Sequence, residues 1–312
     1  MATREHLTEQ VEAENVAFRS AAVIWLQAAR PKTLPAAAAP VLLGTAFAVS
    51  DGGFHALAFL CALLGAVLIQ VGTNLANDYQ DFVRGADTEA RKGPQRVTQA
   101  GLVTPAQVKR ATILAFSLAF LAGLYLIGRG GWPILVLGLA AIASGLAYTA
   151  GRYALAYTGL ADLFVLVFFG PVAVAGTYYV QTLVLWPWVA VAGLGPGFLA
   201  TAILLANNVR DVHEDRAANK RTLVVRFGRG FGVGLYAVCI SGAVAVPAAL
   251  VLWMQGHLGA LAASVVASLF GRPLAKTIRR TEDPAVLNPL LGKTAQLLLV
   301  YCIVFGLGWW LT

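Results

Sequence analysis

The sequence contains few charged residues. Asp, Glu, Lys and Arg make up 12% of its 312 residues, whereas 58% of the residues are hydrophobic and the mean hydropathy is +0.72. A chain with so little charge cannot cover a soluble globule of this size with polar surface. The composition therefore excludes a soluble domain and predicts a protein that lies in a lipid bilayer.

The sequence also contains few cysteines and no phosphate-binding loop motif. The three cysteines, Cys61, Cys239 and Cys302, fall within apolar segments and show neither a C-x-x-C motif nor a metal-ligand spacing. Their positions favour packing as small apolar side chains. The sequence has no Walker pattern and no G-x-G-x-x-G after a strand, so an ATP-driven reaction has no support.

Long apolar runs, in contrast, recur along the whole chain. Each run is close to the roughly 20 residues that a helix needs to cross a hydrocarbon core of about 30 Å. They predict an all-α integral membrane protein with about nine transmembrane helices. We expect these helices near residues 33–50, 56–78, 105–127, 131–149, 160–180, 186–209, 230–253, 257–272 and 292–311.

The basic residues are distributed asymmetrically between these segments. Of the 23 Lys and Arg residues, 22 precede the first segment or lie at alternate loops, and only Arg129 lies on the other side. This positive-inside pattern predicts a cytoplasmic N-terminus and a C-terminus outside. The topology therefore explains the net charge of +8, and no nucleic-acid partner is needed to explain it. Some of the basic residues remain available to bind an anionic substrate.

The N-terminal residues differ from the rest of the chain. Residues 1–20 carry four glutamates and lack a basic start followed by an apolar run, so no cleavable signal peptide is expected. We expect residues 1–21 to form a cytoplasmic or interfacial segment. Residues 22–312 are expected to form a single transmembrane domain.

The first of two acidic clusters lies at the cytoplasmic end of the second segment. Asn74, Asn77, Asp78 and Asp81 follow the i, i+3, i+4, i+7 spacing, which places them on one face of a helix. An ionisable group near membrane depth is costly and therefore indicates a functional site. The polar sequence continues to Asp87.

The second cluster lies at the corresponding end of the sixth segment. Asn207, Asp211 and Asp215 are spaced by four and share a helical face, and Asn208 follows Asn207. Both clusters are on the predicted cytoplasmic side, so the two helices run parallel and form a weak internal repeat. Carboxylates four residues apart repel each other, and carboxylate and amide oxygens are suitable ligands for Mg²⁺. The alternative is that these residues are solvated helix ends that pair with loop arginines.

Basic residues follow both clusters. Most of them serve topology, but some are expected to donate to phosphate oxygens that a metal leaves exposed. The candidates are Arg84 after the first cluster, Lys220 and Arg221 after the second, and Arg152 in the loop between the fourth and fifth segments.

Seven stretches of the chain form a recognisable set: Arg30-Pro-Lys-Thr-Leu-Pro35, Asn77-Asp78-Tyr79-Gln80-Asp81, Phe169-Gly170-Pro171-Val172, Gly176-Thr177-Tyr178-Tyr179, Asn208-Val209-Arg210-Asp211, Lys220-Arg221-Thr222-Leu223 and Leu287-Asn288-Pro289-Leu290-Leu291. Together they resemble the UbiA superfamily of intramembrane prenyltransferases, and the resemblance covers nearly the whole chain. Within that superfamily they are most similar to the branch that prenylates 1,4-dihydroxy-2-naphthoate in menaquinone synthesis. Many members of the superfamily have a further aspartate four residues after the position of Asp81, where this chain has Gly85, with Asp87 two residues later.

The resemblance implies a nine-helix bundle in the bacterial inner membrane that transfers a polyprenyl group from its diphosphate to the naphthoate, with decarboxylation. It implies that Asp78 and Asp81, with Asn74 or Asn77, hold one Mg²⁺, that Asp211 and Asp215 hold a second, and that the diphosphate bridges them. Another aromatic acceptor, such as 4-hydroxybenzoate, is the nearest alternative. A secondary transporter with an intramembrane acidic site is the alternative from another class.

The acceptor and the allyl cation are expected to contact further residues. Tyr148 and Tyr178 are candidates to stabilise the cation through their ring faces, although packing within the bundle is the alternative. Lys32, Arg152 and Asn288 are candidates to recognise the acceptor carboxylate. Asp162 either caps its helix or lines the acceptor pocket and helps to deprotonate a phenol.

Overall fold

A computed structural model describes residues 21–85, 96–148 and 154–312. Within these ranges all regular secondary structure is helical and no strand occurs, which confirms the all-α membrane fold. Eight helical stretches are long and apolar enough to cross a bilayer: Ala21–Ser50, Ala56–Val83, Pro105–Gly130, Ala161–Thr182, Pro187–Arg210, Arg229–Met254, Leu258–Arg280 and Pro284–Leu311.

The ninth predicted segment is a shorter apolar helix, Trp132–Ala147. Its 16 residues span roughly 24 Å at about 1.5 Å per residue, less than the roughly 30 Å core of a bilayer. The expected count of about nine is therefore met by eight full-length stretches and this shorter one.

Within residues 21–85, 96–148 and 154–312, fourteen α-helices make up these stretches and their connections. A 3₁₀ turn (Pro31–Thr33) separates α1 from α2, a π-helical segment (Phe168–Val172) separates α7 from α8, and a second 3₁₀ turn (Leu258–Ala260) precedes α13. The α-helices are α1 Ala21–Ala29, α2 Leu34–Ser50, α3 Ala56–Val83, α4 Pro105–Gly130, α5 Trp132–Ala147, α6 Leu155–Thr158, α7 Ala161–Val167, α8 Ala173–Thr182, α9 Pro187–Arg210, α10 Val212–Ala217, α11 Leu223–Phe227, α12 Arg229–Met254, α13 Leu261–Arg280 and α14 Pro284–Leu311.

Two stretches begin earlier than the hydropathy pattern predicts. The first already includes Ala21, the first described residue, although it was expected from residue 33, and the last begins at Pro284 instead of residue 292. At the start of α14, the Asp283 side chain accepts a hydrogen bond from the Ala285 amide at 2.9 Å, and proline follows at the first helical position. These are helix-start signals, whereas hydropathy reports only the part of a helix that lies at bilayer depth.

The main core lies between α2, α8, α9, α12, α13 and α14. At the end opposite the acidic clusters it contains an aromatic group in which Phe47 contacts Trp188, Phe305 and Trp309 edge to face. Helices α3, α4 and α5 pack beside this core and expose many large apolar side chains, as expected of a surface that faces lipid.

A close helix crossing fixes the π-helical segment against α9. A Cβ atom added at Gly170 would lie 2.6 Å from the Gly193 carbonyl oxygen and 2.9 Å from Gly197 Cα. Only glycine permits the two backbones to approach this closely. The crossing sets the positions of Phe168 and Phe169, which precede Gly170 and line a cavity described below.

Candidate active site

The acidic ends of α3 and α9 meet at one polar cavity of about 70 Å³. The structure thus brings together two clusters that are some 130 residues apart in sequence. The polar side chains that line the cavity are Arg30, Asn77, Asp81, Arg96, Tyr148, Asp162, Asn207, Asn208, Asp211, Glu214, Asp215, Lys220 and Thr222.

Lys220 links the two clusters directly. Its ammonium nitrogen lies 3.7 Å from a carboxylate oxygen of Asp81 and 3.6 Å from one of Asp215. Arg96 donates a hydrogen bond of 2.6 Å to the same Asp81 oxygen. Positive charge from two loop residues therefore offsets the repulsion between the buried carboxylates.

Arg210 organises the second cluster. It is buried, and it donates to both carboxylate oxygens of Asp211 at 2.5 and 2.6 Å. Its remaining hydrogen bonds go to Asn207 Oδ1 at 2.8 Å and to Asn288 Oδ1 at 2.9 Å. Asn288, at the start of α14, therefore contacts the site through Arg210.

Asp215 lies just beyond the membrane-spanning part of α9, on α10. Burial raises its pKa to about 6; Lys220 opposes this shift, and the negative charges of Asp211 and Asp81 add to it. Lys220 therefore offsets only part of the cost of burying this carboxylate, and a bound cation would further stabilise its charged form.

The donor atoms fit Mg²⁺. The Oδ1 atoms of Asn77 and Asp81 are buried and accept no hydrogen bond within the described residues. Across the same residues, no group of three or more His, Cys, Asp or Glu side chains is placed to hold a metal by itself. An oxygen-only set with few carboxylates suits an ion that keeps several waters and shares phosphate oxygens with a substrate.

A larger apolar cavity of about 270 Å³ adjoins the polar one. It lies between α2, α3, α4, α5, α7, the π-helical segment and α8. Tyr148, Leu155 and Ala161 line both cavities, so the two spaces meet at these residues. Phe168 and Phe169 form part of the apolar wall.

Two predicted residues of α3 are buried but do not line the polar cavity. The amide of Asn74 donates to the Ala29 carbonyl oxygen at 2.9 Å and to Thr33 Oγ1 at 3.0 Å, so Asn74 holds α3 against the connection between α1 and α2 instead of facing the cavity. Asp78 lies one turn further along the helix and is buried. Asn77 and Asp81 are the residues of this cluster that face the cavity.

Tyr178 does not lie where a cation-stabilising residue was expected. Its hydroxyl donates to the Asp51 carboxylate at 2.5 Å, and its ring contacts Trp188 edge to face. Both contacts are at the end of the bundle opposite the acidic clusters, because α2 and α3 run antiparallel and Asp51 follows the far end of α2. Tyr178 is a packing residue in this structure.

The predicted basic residues divide into two groups. Lys220 lines the polar cavity, whereas Lys32, Arg84 and Arg221 are exposed outside it. The guanidinium carbon of Arg84 lies 4.9 Å from the ring centroid of Tyr157. Asp87 and Arg152 lie outside the described residues.

Four polar residues that line the cavity were not singled out as candidates from the sequence: Arg30, Arg96, Glu214 and Thr222. Arg30 has a left-handed backbone (φ 54°) directly before Pro31, and the Arg-Pro pair at the start of the first predicted segment was the available signal. Thr222 caps α11 by accepting from the Val225 amide at 3.2 Å. Its position near the acidic cluster depends on the chain reversal after α10.

Comparison with known proteins gives the family. The model of the UbiA prenyltransferase family matches residues 37–291. The chain belongs to the UbiA family. Among its relatives, the 1,4-dihydroxy-2-naphthoate octaprenyltransferase of Escherichia coli is 38% identical, with 91% of this chain and 94% of that protein covered. The enzyme of the same name from Haemophilus influenzae is 36% identical, with 91% and 95% covered.

Solved structures of the family share the fold. A UbiA homolog from Archaeoglobus fulgidus, bound to GPP and Mg²⁺, superposes with a TM-score of 0.64 over 90% of this chain and 99% of that one, at 16% identity. The expected UbiA-type bundle is thereby confirmed.

Proposed function

We propose that this UbiA-family protein transfers a polyprenyl group from a polyprenyl diphosphate to 1,4-dihydroxy-2-naphthoate, with loss of carbon dioxide, to give demethylmenaquinol. The observation that carries the reaction type is the junction of an oxygen-rich polar cavity with an apolar cavity at Tyr148. The names of the relatives that cover over nine tenths of the chain support the acceptor.

The polar cavity is the proposed diphosphate site. Asn77 and Asp81 would hold one Mg²⁺, with Asp78 beside them, and Asp211 and Asp215 would hold a second. Mg²⁺ in this position supplies the charge that stabilises the departing diphosphate. Lys220 supplies donors from the protein itself. The solved homolog with GPP and Mg²⁺ supports the use of a divalent metal with a prenyl diphosphate.

The apolar cavity is the proposed site for the polyprenyl chain. Its walls exclude water, which would otherwise capture an allyl cation. Tyr148 places its aromatic ring where this cavity adjoins the diphosphate site, and Phe168 and Phe169 line its wall. Ring faces in this position stabilise a cation that forms at the first carbon of the chain.

The proposed orientation puts the polar cavity on the cytoplasmic side of the bacterial inner membrane. Arg129, the one basic residue assigned to the outer side, lies at the far end of α4 and donates to the Val180 and Gln181 carbonyl oxygens at 2.5 and 2.9 Å. Arg129 thus caps the C-terminal end of α8. This structural role explains a basic residue on the outer side, which therefore does not contradict the positive-inside pattern.

The test is product formation by the purified protein in liposomes given a polyprenyl diphosphate and either 1,4-dihydroxy-2-naphthoate or 4-hydroxybenzoate. We expect prenylated naphthoquinol and carbon dioxide with the first acceptor, and loss of both on adding a chelator. Asp81→Asn and Asp211→Asn should abolish the product while the protein still inserts. Absence of any prenylated aromatic product from the wild-type protein would refute the proposal.

A further inference from the structure

Asp162 is an acidic residue of the polar cavity that forms no ion pair within the part of the chain that the structure describes. It is the second residue of α7 and is 5% exposed. Both of its carboxylate oxygens are buried, and neither accepts a hydrogen bond from any other residue that the structure describes. A buried carboxylate is strongly destabilising unless donors or a cation reach it, so this side chain is placed to meet a ligand.

Asp162 does not cap its helix, which was the alternative role considered from the sequence. Leu160, not Asp162, occupies the cap position of α7, and no side chain caps this end. Ion pairs in the cavity connect Arg96 to Asp81, Arg210 to Asp211, and Lys220 to both Asp81 and Asp215. Asp162 belongs to neither acidic cluster and comes from a different helix.

Asp162 lies close to the place where the reacting atoms are expected. The preceding residue, Ala161, and Tyr148 line both the polar and the apolar cavity. If the diphosphate lies at the acidic clusters and the chain lies in the apolar cavity, the bond that breaks lies at the junction between them. Asp162 lines the polar cavity beside that junction.

We propose that Asp162 accepts the proton of the acceptor hydroxyl that neighbours the acceptor carboxylate, and later returns it. This inference rests on the proposed function. It places the acceptor hydroxyl on the side of the polar cavity where Asp162 lies. As the hydroxyl gives its proton to Asp162, the ring carbon that bears the carboxylate bonds to the prenyl carbon. The electron pair of the prenyl carbon–oxygen bond leaves with the diphosphate.

The intermediate is then a ketone with a carboxylate on the adjacent carbon. The bond from that carbon to the carboxylate breaks, carbon dioxide leaves, and the electron pair moves through the ring to the ketone oxygen. Asp162 returns its proton to this oxygen and the ring is aromatic again. The proton that Asp162 takes from the acceptor is returned to the product, and no other reactant is needed. Asp162 therefore acts first as a general base and then as a general acid.

The first experiment compares Asp162→Asn and Asp162→Glu with a matched control, Glu282→Gln, a surface carboxylate that pairs with Arg229. We expect Asp162→Asn to lower kcat by at least about 100-fold, within the range for general acid–base groups, with the KM for the diphosphate within about two-fold of wild type. Asp162→Glu should restore part of the loss, and Glu282→Gln should match wild type.

A second experiment needs no variant and so does not depend on how Asp162→Asn folds. The wild-type protein should prenylate 4-methoxy-1-hydroxy-2-naphthoate but not 1-methoxy-4-hydroxy-2-naphthoate, because only the first keeps the hydroxyl beside the carboxylate. Comparable turnover of both analogues would overturn the inference, as would a kcat for Asp162→Asn close to that of wild type. In either case prenylation of the natural acceptor by wild type would leave the proposed function standing, whereas no prenylation at all would remove both.

Discussion

The ammonium group of Lys220 lies between the carboxylates of Asp81 and Asp215, 3.7 and 3.6 Å from their nearest oxygens. The three residues come from the end of α3, from α10 and from the turn after α10. One flexible cation thus joins two acidic clusters that belong to separate parts of the chain, at the point where a diphosphate is proposed to bind.

Replacing Lys220 by methionine tests this link. We expect the KM for the polyprenyl diphosphate to rise at least about ten-fold, because an outer contact of a metal site typically contributes 10- to 100-fold. The Mg²⁺ concentration for half-maximal rate should change as well. Lys293→Met, at an exposed lysine of α14, is the control, and equal kinetics of the two variants would contradict the assignment.

Asn288 is predicted to act through Arg210. Asn288→Ala removes the acceptor of the 2.9 Å hydrogen bond that holds the guanidinium against Asp211. We expect kcat to fall roughly 10- to 100-fold, with a smaller change in the KM of the naphthoate. A selective rise in that KM at unchanged kcat would instead support direct recognition of the acceptor carboxylate by Asn288.

The apolar cavity should limit the length of the prenyl chain. Gly138 lines this cavity, and a Cβ atom added there meets no atom within 4 Å. Gly138→Phe is therefore expected to fill part of the cavity and to lower the rate with long polyprenyl diphosphates at least about ten-fold more than the rate with geranyl diphosphate. Val136→Phe on the same helix, at a half-exposed position that does not line the cavity, is the control.

The crossing of the π-helical segment and α9 should be intolerant of a methyl group. Gly170→Ala places Cβ 2.6 Å from a backbone oxygen of Gly193, and overpacking of this kind costs about 1–3 kcal/mol. We expect a lower thermal midpoint in detergent and lower activity. Gly128→Ala, where the added atom meets nothing within 4 Å, should leave the midpoint unchanged or raise it. Equal midpoints would show that the segment moves freely relative to α9.

The properties that the sequence predicted most accurately are local ones. Low charge, apolar run length and the asymmetry of Lys and Arg were enough to predict a helical membrane protein, and helical spacing was enough to predict that Asn77 and Asp81 share a face. The ends of the helices were less accurate, because α1 and the first turns of α14 lie outside the range that hydropathy reports.

What only the tertiary structure decided is which of these polar residues meet. Asn74 and Asn77 occupy similar positions in the pattern, but the connection before α2 supplies hydrogen-bond acceptors to Asn74, whereas Asn77 lines the polar cavity. Tyr178 and Tyr148 are both intramembrane tyrosines, yet the direction of their helices sends them to opposite ends of the bundle. Spacing along one helix fixes a face, whereas the neighbour of that face depends on packing between helices that are far apart in the chain.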